Sequence, residues 1–126
     1  MKKIEQYDIW LLNFDPSVGQ EIRKTRPALV ISNSYYNMAS GTIFVVPLGS
    51  QKPKHSNSPF YIAVEKDEKN ALKKTSYLNI SQLRAVSKLR FVKKTGKVKE
   101  EILQEISKRF LEILDVDILA LRYFKN

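Results

Sequence analysis

The chain has 126 residues, with 22 Lys and Arg against 13 Asp and Glu for a net charge of +9, 43% apolar residues, one His and no Cys. That composition is a folded chain with one core, and it excludes disulfides, a thiolate nucleophile, thiolate-ligated metal sites and, within one chain, any centre needing two imidazoles. The charge points to a polyanionic partner, most often nucleic acid, and no apolar run approaches the roughly 18 residues that span a bilayer.

The N-terminus, Met1-Lys2-Lys3-Ile4-Glu5, is basic but lacks the apolar stretch and small-residue cleavage site of a signal peptide. A cytoplasmic chain with no membrane partner is therefore expected. Asp8–Phe14 (DIWLLNF) reads as a strand that ends at the Asp15-Pro16 turn. Ala28–Ser32 (ALVIS) is a β-branched run entered through Pro27, and Thr42–Leu48 (TIFVVPL) is another, in which Pro47 marks an edge or a bulge. Phe60–Val64 follows the polar loop 49–59, Ser76–Ile80 and Leu83–Val86 bracket Ser81-Gln82, and Arg90–Lys94 adds a further strand. Short strands spaced by turn signals, with no helical pattern between them, predict a small barrel rather than an α/β sheet.

After Gly96 the period changes. Lys99–Leu114 places Ile102, Ile106, Phe110 and Leu114 at steps of four, with Leu103 and Ile113 beside them. This is the apolar stripe of an amphipathic helix, expected to close the barrel or line a dimer interface, and Glu100 and Glu101 suit its first turn through the helix dipole. The tail Ile118–Phe124 is apolar enough to dock on something. A single domain over 1–126 is expected, with the barrel at about 6–95, the helix at about 98–115 and the tail at 118–126. Charge is uneven along it. Residues 61–99 hold eleven cations and three carboxylates, a net of +8. Any one of these lysines is best read as a solvated surface group, but the field as a whole favours RNA, DNA or an acidic protein segment.

The most informative stretch is Asp8–Asn33, in which a strand leads into the polar loop Gly19-Gln20-Glu21-Ile22-Arg23-Lys24-Thr25-Arg26 and the chain returns to a strand through Pro27. An arginine fixed beside a proline has little freedom, so its guanidinium can be held ready for a phosphate. A polar hairpin in which Glu21 merely pairs with Arg26 is the other reading of the same residues.

The stretch DIWLLNFDPSVGQEIRKTRPALVIS resembles the opening of the MazF/PemK family of ribonuclease toxins: strand, DP turn, VG.E loop, RP and strand. The resemblance continues through Thr42–Gln51 (TIFVVPLGSQ) and Ser81–Val86 (SQLRAV) into the C-terminal helix, covering roughly residues 6–114. It implies an SH3-like barrel with a C-terminal helix, assembled as a homodimer. It also implies an endoribonuclease without metal or other cofactor that cuts single-stranded RNA, restrained by a cognate acidic antitoxin.

Carried over by position, Arg26 matches the family's catalytic arginine. The family threonine of a PLTS-like segment falls on Gly49 of Pro47-Leu48-Gly49-Ser50, so its hydroxyl is missing and Ser50 is the nearest substitute. Gln20 and Glu21 match a loop that lies over the RNA, with Glu21 as proton acceptor or as the group that orients Arg26. Some members have a histidine where Gln20 stands. Arg23, Lys24 and Thr25 in that loop, Gln51, Lys52, Lys54 and His55 in the next, and Gln82 with Arg84 of the Q-x-R segment are the expected RNA contacts. A PemK-type arginine–aspartate pair would fall on Asn79 and Ser81, neither of which ionises. Trp10 and Phe14 read as core, whereas Tyr35 and Tyr36 are candidates for base stacking. Two alternatives stay open on the same fold: a CcdB-like poison of a protein target such as gyrase, and a binder of RNA or antitoxin that does not cut.

Overall fold

A computed structural model of the chain describes residues 2–14, 25–54 and 57–117. In chain order it contains strands β1 (Asp8–Leu12) and β2 (Arg26–Val30), helix α1 (Ser34–Ala39), strands β3 (Thr42–Gly49), β4 (Tyr61–Val64), β5 (Ser76–Asn79), β6 (Arg84–Ser87) and β7 (Phe91–Lys97), and helix α2 (Glu100–Ile113). Single 3-10 turns at 80–82 and 88–90 flank β6. The expectation of a mainly β chain with a C-terminal helix holds. The strands form one antiparallel sheet in the order β4-β5-β3-β2-β1-β7, with β6 paired to β3 off this path.

β3 organises the sheet because it changes partners. On one edge it holds β2, and on the other its Thr42–Val45 half pairs with β6 while Leu48 and Gly49 pair with β5. Pro47 sits in the interval that neither β6 nor β5 occupies. A proline has no N–H to give a ladder, so the exchange of partners falls where the chain has least to lose.

Successive side chains along a strand point to opposite faces, and here both faces are buried. Ile9, Leu29, Val46, Leu48 and Leu78 form one core with Leu103 and Ile106 of α2. Trp10, Leu12, Ala28, Val30, Ile43, Val45, Val86 and Phe91 form the second, capped by Ile4 from the N-terminal segment. Double burial is why ALV and TIFVV are unbroken apolar runs instead of alternating ones. Asn37, buried in α1, ties the N-terminal segment down by donating from Nδ2 to the Ile4 carbonyl at 3.1 Å. Lys2 Nζ donates to the Phe91 carbonyl.

Among the described residues the ladder does not close; β4 and β7 are its ends. The β4–β5 loop bridges to β7 instead. Lys97 N–H donates to the Lys69 carbonyl at 2.9 Å, and Gly96 lies so near Asn70 that a Cβ there would sit 2.4 Å from its carbonyl oxygen.

Three expectations are corrected. α1 falls between β2 and β3, where no helix is predicted; Asn33 caps it, its Oδ1 accepting from Tyr36 N–H at 2.8 Å. The packed stripe of α2 is Ile102, Leu103, Ile106 and Phe110, whereas Leu114, beyond the last helical residue, is 68% exposed. β2 begins at Arg26, not at Ala28. Among the described residues no helix is long and apolar enough to cross a membrane. The tail 118–126 lies outside the described residues.

Candidate active site

Because β2 starts early, Arg26 belongs to the sheet. It pairs with Leu12 of β1, as Pro27 does with Leu11, yet its side chain is exposed. The β2–β3 pairing runs from Val30–Val45 to Ala28–Pro47, and Arg26 and Gly49 each lie two residues beyond its last pair. Alternation places Arg26 on the face of Ala28 and Val30, and Gly49 on that of Ile43 and Val45, so both border the second core. A Cβ built on Gly49 meets nothing within 4 Å. Ser50 follows the last residue of β3 and is exposed.

Arg84 shares that face. It opens β6, two residues before buried Val86, and its guanidinium lies 5.1 Å from the centroid of Phe14, which packs against the second core. Gln82 is exposed at the end of the 80–82 turn. Asn79 and Ser81 are bonded to one another: Asn79 Oδ1 accepts from Ser81 Oγ at 2.6 Å and from Ser81 N–H at 3.1 Å, which caps the turn. A residue that sequence reasoning missed sits close by. Arg90 Nη1 donates to the Asn13 carbonyl at 3.2 Å, and Asn13 N–H donates to the Arg90 carbonyl at 2.9 Å. Nothing in the sequence separates Arg90 from its ten cationic neighbours in 61–99.

Thr25 is half-buried and immediately precedes Arg26, while Gln51, Lys52 and Lys54 are exposed beyond β3. Gln20, Glu21, Arg23, Lys24 and His55 lie outside the described residues. The aromatic candidates are elsewhere. Tyr36 stacks on Phe44 with centroids 5.3 Å apart, near the Thr42 end of β3 and away from Gly49. Hydrogen bonds with Ser40 and then Thr42 hold the Tyr36 phenol below its usual pKa. Trp10 is core, as expected, and donates to Asp8 Oδ2 at 3.1 Å.

Much of the +8 segment is structural. Lys94 and Lys97 lie 3.2 and 3.4 Å from Oδ1 of the fully buried Asp8, Lys88 Nζ donates to the Met38 carbonyl, and Arg84 and Arg90 grip Phe14 and Asn13. Among the described residues no group of three His, Asp or Glu is placed to hold a metal ion. What the site offers is an exposed arginine on a fixed backbone, with an open Cβ position at Gly49 on the same face: an arrangement that fits a phosphate.

Residues 5–114 match the family model described as PemK-like, MazF-like toxin of type II toxin–antitoxin systems. Endoribonuclease PemK of Escherichia coli is 28% identical over 112 residues, 88% of this chain and 82% of that protein. Among solved structures, MazF of Deinococcus radiodurans is similar with a TM-score of 0.72 at 22% identity, covering 92% of this chain and 100% of its own. A mycobacterial endoribonuclease in complex with its cognate antitoxin is similar with a TM-score of 0.69 at 15% identity, covering 90% and 97%. The chain therefore belongs to the family of PemK-like, MazF-like toxins of type II toxin–antitoxin systems.

Proposed function

We propose that this chain is the RNA-cleaving toxin of its pair, a metal-independent endoribonuclease acting on single-stranded RNA. In the proposed reaction the 2′-oxygen of the RNA attacks the adjacent phosphorus and gives up its proton to a base. The bond to the 5′-oxygen breaks as that oxygen takes a proton, leaving a 2′,3′-cyclic phosphate and a 5′-hydroxyl. Charge accumulates on the phosphorane oxygens, and a preorganised guanidinium is what stabilises it. The observation that carries this reading is Arg26: exposed, held in the ladder against Leu12, and on the same face of the sheet as Gly49, whose Cβ position is open. Glu21 is proposed as the proton acceptor and Ser50 as the hydroxyl nearest the missing threonine. Gln20, Arg23, Lys24, Thr25, Gly49, Gln51, Lys52, Lys54, His55, Gln82 and Arg84 are the proposed RNA contacts. A homodimer in the cytoplasm, restrained by an acidic antitoxin that competes with RNA for Arg26, completes the proposal.

The bare Gly49 favours one second reading, a binder of RNA or antitoxin that does not cut. Incubation of the purified protein with a long single-stranded RNA in EDTA separates the two. Defined fragments with cyclic phosphate ends support the nuclease; retention of intact RNA supports the binder. Absence of both points to a protein target instead.

A further inference from the structure

We infer that Arg90 is a positioning residue for Arg26, an assignment that rests on the nuclease reading above. Three backbones lie side by side at this end of the sheet: Arg26 of β2 against Leu12 of β1, and Leu12 against Phe91 of β7. The β1–β7 ladder is irregular at this point. Leu11 pairs with Lys93 but Leu12 with Phe91, so Val92 is bulged out and the ladder slips between Leu11 and Leu12. A bulge loosens the pairing that would otherwise set where a strand ends, and Leu12 is the residue against which Arg26 is registered.

The residue after β1 compensates. Asn13 is buried, with 4% of its surface exposed, and both its N–H and its carbonyl are taken by Arg90: the carbonyl of Arg90 at 2.9 Å and its Nη1 at 3.2 Å. One residue thus grips β1 by backbone and side chain together, immediately beyond the slip. Arg84 over the ring of Phe14 extends the grip by one more residue. From Phe14 the chain enters 15–24 and returns at Thr25 to Arg26, so Arg90 holds one stem of that excursion while Leu12 holds Arg26, the other. A lysine could supply the charge but not the planar fork that reaches a carbonyl in a fixed direction. Arg90 acts through Asn13 and Leu12; it is not placed on the RNA.

A misplacement of about 1 Å can cost up to roughly a hundredfold in rate. Arg90→Ala is therefore expected to lower kcat on a single-stranded RNA oligonucleotide roughly 10- to 100-fold with KM little changed. Millimolar ethylguanidinium should restore part of the loss in Arg90→Ala and none in the wild type. Should the alanine variant not fold, Arg90→Lys, which keeps the charge without the fork, takes its place. Amide hydrogen exchange of residues 12–14 and 25–28, measured without RNA, should quicken in the variant while β5 is unchanged. A wild-type kcat in a variant of an active enzyme, or a rise in KM alone, would overturn the positioning role and leave the nuclease reading intact. An inactive wild type would bring down that reading, and the positioning role with it.

Discussion

Arg26 is exposed at its guanidinium and fixed at its backbone, and those two properties make separable predictions. Arg26→Ala removes charge from the reacting phosphate, so cleavage should fall roughly 10²- to 10³-fold, the loss typical of removing one preorganised donor. The melting temperature should stay put, since exposed substitutions move stability by less than about 0.5 kcal/mol. Unchanged cleavage in a nuclease-free preparation would remove Arg26 from the site. Gly49 supplies the complementary test. Its Cβ position is open and on the face that Arg26 shares, so Gly49→Thr, which restores the hydroxyl, should raise the rate roughly tenfold, about 1.4 kcal/mol in barrier. If Ser50 already fills the role, the rate stays level and Ser50→Ala lowers it instead. Arg26 was legible because a proline stands beside it; its place inside a strand was not, because Pro27 reads as a strand breaker. Asp8 was legible only as the start of an apolar strand. It is fully buried, with Oδ2 accepting from Trp10 Nε1 and Glu5 N–H and Oδ1 facing two ammonium groups. The Asp8–Trp10 spacing of two, which puts both on one face, was the available signal.

At the level of elements, β1, β2 and β3 emerged from apolar runs because they are largely buried on both faces, so no alternation was needed to see them. The short helix α1 escaped for the opposite reason. Six residues are too few to show a helical period, and the one local sign was Asn33, whose side chain satisfies an otherwise orphaned N–H. Leu114 continued the apolar stripe in sequence but lies where the helix has ended, and it is exposed. The contact between the β4–β5 loop and β7 was not legible at all, since it joins segments far apart in the chain. It depends on the absence of a side chain at Gly96, where a Cβ would lie 2.4 and 2.6 Å from backbone atoms of Asn70. Asn70 cannot yield easily. It is buried and organises its own loop, accepting from Asp67 N–H and Leu72 N–H and donating to the Glu65 carbonyl. Gly96→Ala is therefore expected to destabilise the fold by about 1–3 kcal/mol, as overpacking does, a fall in melting temperature of about 4 °C per kcal/mol at this chain length. An unshifted thermal transition would show that the loop moves aside at no cost.

For the molecule as a whole, net charge and useful charge are different quantities. The +9 of the chain and the +8 of residues 61–99 point to a polyanion, but four cations of that segment serve the fold, Lys88, Arg90, Lys94 and Lys97, and exposed Arg84, a proposed RNA contact, also lies over the Phe14 ring. The remaining Lys66, Lys69, Lys73, Lys74, Lys93 and Lys99 are exposed. Lys73 and Lys74 lead into β5, whose Tyr77 pairs with Gly49, which ties this lysine pair to the Gly49 end of β3. Salt dependence can sort the two kinds of cation. Each lysine that displaces a counterion from a single strand contributes about 0.7 to the slope of log affinity against log salt. In an Arg26→Ala background, where RNA can be bound without being cut, removing Lys73 and Lys74 together should flatten that slope by about 1.4 and leave the melting temperature unchanged. Removing Lys94 and Lys97 takes away the same formal charge with the reverse signature. The buried Asp8 loses both counter-charges, stability drops by about 2 kcal/mol after allowing for the partial exposure of the lysines, and the slope holds. If instead the second pair flattened the slope and the first lowered the melting temperature, the surface that meets RNA would be β7 and not the Gly49 end of the sheet.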